Sequence, residues 1–149
     1  MKDIAGYEGK YAVDENGSVW SYRKNDWLSP GLNGRGYYIV NLWKNKKQKT
    51  YYVHRLVAQT YLDNYSEDLQ VDHINGCRIN NNISNLRMVT CQQNHFNRTT
   101  AKGYSWDKNK EKWQAHIRID YRLKHLGCFD TEAEARDAYL AAKKIFHVI

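Results

Sequence analysis

"VDHINGCRINNNISNLRMVT", residues 71–90, is the stretch on which the reading of this chain turns. It places an acid and an imidazole side by side, Asp72 and His73, and follows them with five asparagines, at positions 75, 80, 81, 82 and 85. Asn is a poor helix and strand former, because its short amide bonds to nearby backbone and favours turns. The apolar runs on either side, "LQVDHI" and "LRMVT", predict two strands joined by this loop. Upstream, "HRLVAQTYL" sets Leu56, Val57 and Tyr61 at helical spacing and predicts an amphipathic helix; downstream, "TCQQNHFNR" predicts a polar one. A loop without an apolar core is either an ornate connection or a device for holding Asp72 and His73 in a set geometry.

A carboxylate, an imidazole and a carboxamide that converge on one point suit metal-assisted hydrolysis of a phosphodiester. Hard divalent ions such as Mg²⁺ take oxygen ligands from Asp and Asn and keep several waters. Such an ion stabilises charge on the phosphate and on the leaving 3′ oxygen. An imidazole at its ordinary pKa of about 6.5 is largely neutral near pH 7.5, and accepts the proton of an attacking water.

"VDHINGCRINNNISNLRMVTCQQNHFN", with "VHRLVAQTY" before it, resembles the HNH nuclease motif of phage and intron-associated homing endonucleases. The resemblance implies a ββα-metal core with His73 as general base, Asp72 and Asn94 as ligands of one divalent metal ion (Mg²⁺ or Mn²⁺), and Asn85 as the staple of the loop. The last letter of the motif is often His; here the helix offers Asn94, and His95 beside it points about 100° away on the helix. Asn97 falls in the same motif.

The flanks carry resemblances of their own. "IAGYEGKYAVDENGSVWS" is similar to the segment that often precedes this nuclease motif. "GYSWDKNKEKWQAHIRI" with "LKHLGCFDTEAEARDAYLAAKK" resembles the plant APETALA and ethylene-response type DNA-binding domain, in which a three-stranded sheet reads the major groove. That implies DNA contacts from Ser105, Lys108, His116, Arg118, Lys124 and His125, with Arg35 of the N-terminal segment a further candidate. An Arg such as Arg118 grips guanine through O6 and N7.

Charge agrees with a polyanionic partner. The formal net charge is +7. Residues 1–50 carry nine Lys/Arg against five Asp/Glu, residues 51–100 four against four, and residues 101–149 ten against seven. Basic flanks around a neutral centre fit ends that hold nucleic acid and a middle that cuts it. A length of 149 residues suits one domain or a few very small ones. Three cysteines without a Cys-x-x-Cys pair argue against a disulfide framework and a four-cysteine zinc. One Pro and nine Gly argue against disorder. No apolar run approaches a membrane span and "MKDIAGYEGK" lacks a signal-peptide core, so the expected location is the cytoplasm, that of the host cell if the chain is phage-encoded.

The local signals fill in an α+β architecture. "KYAVDENGSVWSY" predicts a hairpin at its Asn-Gly turn. "GYYIVNLWKNKKQKTYYVHRLV" predicts a second hairpin, with a turn from Lys44 to Lys49 holding four lysines. In the last segment three strands, with turns near Asn109 and Asp120-Tyr121, precede a helix begun by a Thr131–Glu134 capping box. Ala135, Ala138, Tyr139, Ala142, Ile145 and Phe146 form its apolar stripe. Strand parity puts Trp113, Ala115, Ile117 and Ile119 on the helix side, with Trp106 also in the core, and leaves Gln114, His116 and Arg118 on an open face. His54 is expected as a cap or packing residue and His147 as a plain helix terminus.

The expected organisation is a DNA-binding β-rich segment over residues 1–50, a nuclease domain over 51–100, and a three-stranded sheet packed on one helix over 101–149. The expected function is a metal-dependent endonuclease of homing type acting on double-stranded DNA. It has no membrane and no small-molecule substrate, and nicks as a monomer or weak dimer. The alternatives are a sequence-specific DNA-binding regulator with a degenerate nuclease core, and a nuclease acting on RNA, whose narrow major groove a sheet cannot read.

Overall fold

The computed structural model describes residues 1–96 and 102–147. They form two compact units, Met1–Thr90 and Cys91–Ile149. The first unit opens with an antiparallel sheet of β1 (Lys2–Asp3), β2 (Tyr11–Val13), β3 (Val19–Ser21) and β4 (Asp26–Trp27), ordered as in the chain. The Asn-Gly turn between β2 and β3 is tied from within. Asp14 Oδ1 accepts from the backbone N–H groups of Asn16 and Ser18 at 2.9 and 2.8 Å, and Gly17 adopts φ +91°.

A second antiparallel sheet holds β5 (Gly31–Leu32), β6 (Tyr38–Lys44) and β7 (Lys47–Tyr52). The turn between β6 and β7 is tighter than the lysine pattern suggests. Lys44 pairs with Lys47, so only Asn45 and Lys46 connect the strands, both at positive φ (52° and 61°). That left-handed pair matches the twist of the flanking strands, and Asn tolerates it well. Two of the four lysines fold back onto the protein: Lys44 Nζ donates to the Gly6 carbonyl at 2.7 Å, and Lys49 lies over the Tyr51 ring.

α1 (Val53–Tyr61) follows β7 without a linker. β8 (Gln70–His73) and β9 (Leu86–Val89) then pair antiparallel, with Asp72 opposite Arg87 and His73 opposite Leu86. Val53, Leu56 and Val57 of α1 share one core with Ile4, Val13 and Val19 of the first sheet, Val40 and Leu42 of β6, and Leu86 of β9. Each such side chain contributes about 1.5–3 kcal/mol on burial. Residues 1–50 and 51–90, legible separately in the sequence, therefore stand as one folding unit. The Tyr61 hydroxyl, donating to the Val13 carbonyl at 2.8 Å, ties the end of α1 to β2.

The second unit contains α2 (Cys91–Phe96), then β10 (Tyr104–Asp107), β11 (Lys112–Ile119) and β12 (Arg122–Phe129) as an antiparallel sheet in chain order, and α3 (Glu132–Phe146). Asn97 and Arg98, expected on the helix of α2, lie outside the described residues. Asp120 and Tyr121, both at positive φ, turn β11 into β12. Thr131 Oγ1 accepts from the Glu134 N–H at 3.3 Å and caps α3. Tyr139 and Ala142 of α3 pack on Ile117 of β11, as parity predicts.

Three expectations change here. Ile145 sits on the edge of the α3 stripe and is 69% exposed, and Phe146 is exposed under the Lys124 ammonium. Trp106 is 46% exposed and Trp113 half-buried; the two indoles cover each other edge-to-face at 5.5 Å and are not core. His147 does more than end a helix: its Nε2 lies 2.8 Å from the Arg118 carbonyl, and its ring stacks on Phe96 at 3.9 Å.

Gly103 lies flat against the Tyr139 ring, where an added Cβ would overlap the ring carbons. Gly103→Ala is expected to destabilise the second unit by about 1–3 kcal/mol through overpacking. Urea denaturation of the intact chain, followed by tryptophan fluorescence, reads this out. Among the described residues no helix is long and apolar enough to cross a membrane.

Candidate active site

Asp72 and His73 end β8 as buried polar residues, 6% and 5% exposed. The cost of burying them is offset by specific partners. Asp72 Oδ2 accepts from Arg87 Nε at 2.9 Å and meets Arg87 Nη2 at 2.8 Å, a fork reached across the β8–β9 ladder. His73 Nε2 stands 2.9 Å from Asn81 Oδ1. A group of rings holds the imidazole: His54 edge-on at 5.0 Å and Tyr37 at 6.0 Å, with Tyr52 packed against both of them.

His54 is thus a packing residue, not a cap. It is buried on α1, and its Nδ1 meets no hydrogen-bond partner among the described residues. Burial, with the neighbouring His73 and Arg55 adding to it, pushes its pKa down to about 3, so the ring is neutral at working pH.

The asparagines close the loop on itself. Asn85 Oδ1 accepts from the Asn75 N–H at 3.1 Å, while its Nδ2 donates to Asn75 Oδ1 at 3.0 Å and to the Asn80 carbonyl at 2.9 Å. Three bonds from one buried amide span ten residues of loop. Asn75 Oδ1 also accepts from Cys77 N–H, and Asn82 Oδ1 caps the short 3₁₀ turn Ile83–Asn85 through Ser84 N–H. Arg78, in the same loop, donates to the Arg35 carbonyl at 2.7 Å and lies over the Tyr37 ring.

Asp72, His73 and Asn85 are thereby gathered into one element, the β8–β9 loop and its strands. Asn94 lies half-buried on α2 in the second unit, next to an exposed His95. Of the expected DNA-facing residues, Ser105, Lys108, Arg118 and His125 are exposed and His116 is half-buried. His116 pairs with His125, and Ser105 with Gln114, so these share the face opposite Ile117. Lys124 does not. A bulge at Ala115/His116 leaves Leu126 unpaired, so Lys124 faces Ile117 and its ammonium lies over Phe146 of α3. Arg35 contributes its carbonyl to Arg78. The sequence reading missed Arg87, Asn81 and the Tyr37–Tyr52 rings. Only Arg87 had a legible signal, since pairing "QVDH" with "LRMV" puts it opposite Asp72.

Asp72 carries a carboxylate and, in the other unit, Asn94 carries an amide oxygen; each is a donor type that hard ions take. Among the described residues no three His, Cys, Asp or Glu side chains cluster to enclose a metal.

The comparisons point one way. Residues 51–96 match a family model described as HNH endonuclease, and residues 2–43 match the NUMOD4 motif. DNA endonuclease I-HmuI of Bacillus phage SP01 is 45% identical over 89 residues, covering 60% of this chain and 51% of that protein. H-N-H endonuclease F-TflII of Escherichia phage T5 is 28% identical over 103 residues, covering 68% of this chain and 53% of that one. The chain spans about half the length of these two phage relatives. The solved structure "DNA binding and cleavage by the HNH homing endonuclease I-HmuI" superposes with a TM-score of 0.65 at 36% identity, covering 83% of this chain and 75% of that chain. With a nuclease-type strand–loop–strand at the matched residues and that likeness across most of its length, the chain belongs to the HNH endonuclease family.

Proposed function

We propose that the chain is a divalent-metal-dependent DNA endonuclease of homing type, hydrolysing phosphodiester bonds in double-stranded DNA and nicking one strand per active site as a monomer or weak dimer. The observation that carries this is the buried Asp72–His73 pair at the end of β8, cross-braced by Asn85, within the residues that match the HNH model. It acts in the cytoplasm of the cell that holds its DNA.

His73 takes the proton of a water placed against the phosphorus. The water oxygen bonds to phosphorus as the bond to the 3′ oxygen breaks. Asp72 and Asn94 would hold one Mg²⁺ or Mn²⁺ ion, which when bound stabilises the charge on the phosphate and the leaving oxygen. Arg87 orients the Asp72 carboxylate, and Asn85 keeps the loop from collapsing away from the pair.

Residues 1–50 and the segment 101–149 supply DNA affinity around the nuclease segment. The last unit acts as a sheet of the APETALA and ethylene-response type, with Ser105, Lys108, His116, Arg118 and His125 toward the groove. Arg118→Ala is expected to weaken duplex binding by about 1–3 kcal/mol. At saturating DNA it leaves metal-dependent cleavage unchanged, as gel-shift and plasmid assays on one preparation would establish.

The test of the function is incubation of supercoiled plasmid with the chain and Mg²⁺ or Mn²⁺. Open-circular product that depends on metal supports the reading. Tight, salt-dependent binding without turnover in either metal would instead mark a DNA-binding regulator.

A further inference from the structure

We infer that Asn81 is the positioning residue of this site: its side-chain oxygen fixes the hydrogen of His73 on Nε2 and so assigns proton abstraction to Nδ1. The inference rests on the reading of His73 as general base and goes deeper into the same site.

A carboxamide oxygen only accepts. With Asn81 Oδ1 at 2.9 Å, the His73 Nε2 must carry the hydrogen, and the lone pair of the neutral ring lies on Nδ1. The bond is sheltered, because Asn81 is 4% exposed and His73 hardly more. A buried acceptor that lost this donor would be left unsatisfied, so the contact is held by more than chance proximity.

Asn81 is itself held by the N-terminal segment. An added Cβ on Gly17 would come within 2.8 Å of the Asn81 Cβ and 3.1 Å of Val53 Cγ1, so the β2–β3 turn packs directly on the Asn81 stem. On either side of that contact the turn is bonded to the loop. Asn82 Nδ2 donates to Asn16 Oδ1 at 2.6 Å, and the Ile83 N–H donates to the Glu15 carbonyl at 2.8 Å. The imidazole also packs edge-on against the neutral His54 ring. The residues that match the NUMOD4 motif thus form one wall of the catalytic loop, and the Asn81 amide transmits their position to the base.

The experiment uses the whole chain. Long-range ¹H–¹⁵N spectra of the histidine-labelled protein above pH 8 report which nitrogen of His73 carries hydrogen. Single-turnover plasmid cleavage with Mn²⁺ is compared for the unsubstituted chain, Asn81→Asp, Asn81→Leu and His73→Ala. Hydrogen on Nε2 is expected. Asn81→Asp retains an acceptor and cleaves within about tenfold of the unsubstituted chain, while Asn81→Leu loses on the order of 10²-fold or more in rate, as when a base loses its orienting partner. The half-saturating DNA concentration stays the same in both. Hydrogen on Nδ1, full activity in Asn81→Leu, or Asn81→Asp as slow as Asn81→Leu would overturn the assignment. If His73→Ala cleaves like the unsubstituted chain, the reading of the base itself fails; if His73→Ala is dead and Asn81→Leu is not, only the role of Asn81 does. The spectra decide even if a variant fails to fold.

Discussion

His73→Ala is expected to slow metal-dependent nicking of supercoiled plasmid by roughly 10²–10⁴-fold, the range that a positioned general base supplies. Without the imidazole, water attacks the phosphorus with no acceptor for its proton, while the basic flanks proposed to bind DNA are untouched. The loss therefore falls on the rate at saturating DNA, and affinity measured by gel shift stays level. The substitution also removes a ring from the Tyr37–His54 group and leaves Asn81 Oδ1 without the donor at 2.9 Å. That exposes a buried acceptor at a cost of about 1–3 kcal/mol. Urea denaturation beside the cleavage assay separates a lost base from a lost fold. Equal cleavage by the variant and the unsubstituted chain would remove His73 from the chemistry.

Asp72→Asn is the second large effect. The substitution keeps the size of the side chain and one oxygen, and removes the negative charge that pairs with Arg87 and that the proposed ion would use. If the ion supplies several kcal/mol of charge stabilisation, cleavage falls on the order of 10³-fold at fixed metal, since each 1.36 kcal/mol is tenfold. Rate against Mn²⁺ concentration checks it. The unsubstituted chain is silenced by EDTA and restored by added metal, whereas the variant is restored only weakly or at far higher Mn²⁺. A variant with an unchanged metal curve would show that the carboxylate does not hold the ion.

Much of this molecule was legible because its signals are local. Asn16-Gly17 announced the first hairpin, Thr131 and Glu134 the start of α3, and the clustered asparagines announced a loop built from side-chain bonds. Pairing of β8 with β9 followed from the two apolar runs. What stayed hidden is non-local. Nothing near Asp72 says that Tyr37 and His54, many residues earlier, wall in His73, or that a turn at Gly17 packs on Asn81. Five asparagines look alike in sequence; only the fold separates Asn85, which staples the loop, from Asn81, which touches His73. The bulge at Leu126 is hidden for a similar reason. One extra residue inverts the alternation of β12 and turns Lys124, expected toward DNA beside His125, onto the helix side. Indoles 106 and 113 were misplaced because the sheet face that α3 covers is centred on Ile117 and does not extend to shield them.

The proposed function turns on a single hard cation that Asp72 and Asn94 would hold, with His73 as the base. Anomalous diffraction from crystals soaked in manganese locates that ion without relying on turnover. One peak bonded to an oxygen of each side chain is the result expected; full occupancy elsewhere, with nothing at Asp72 in crystals that still cleave bound DNA, would contradict it.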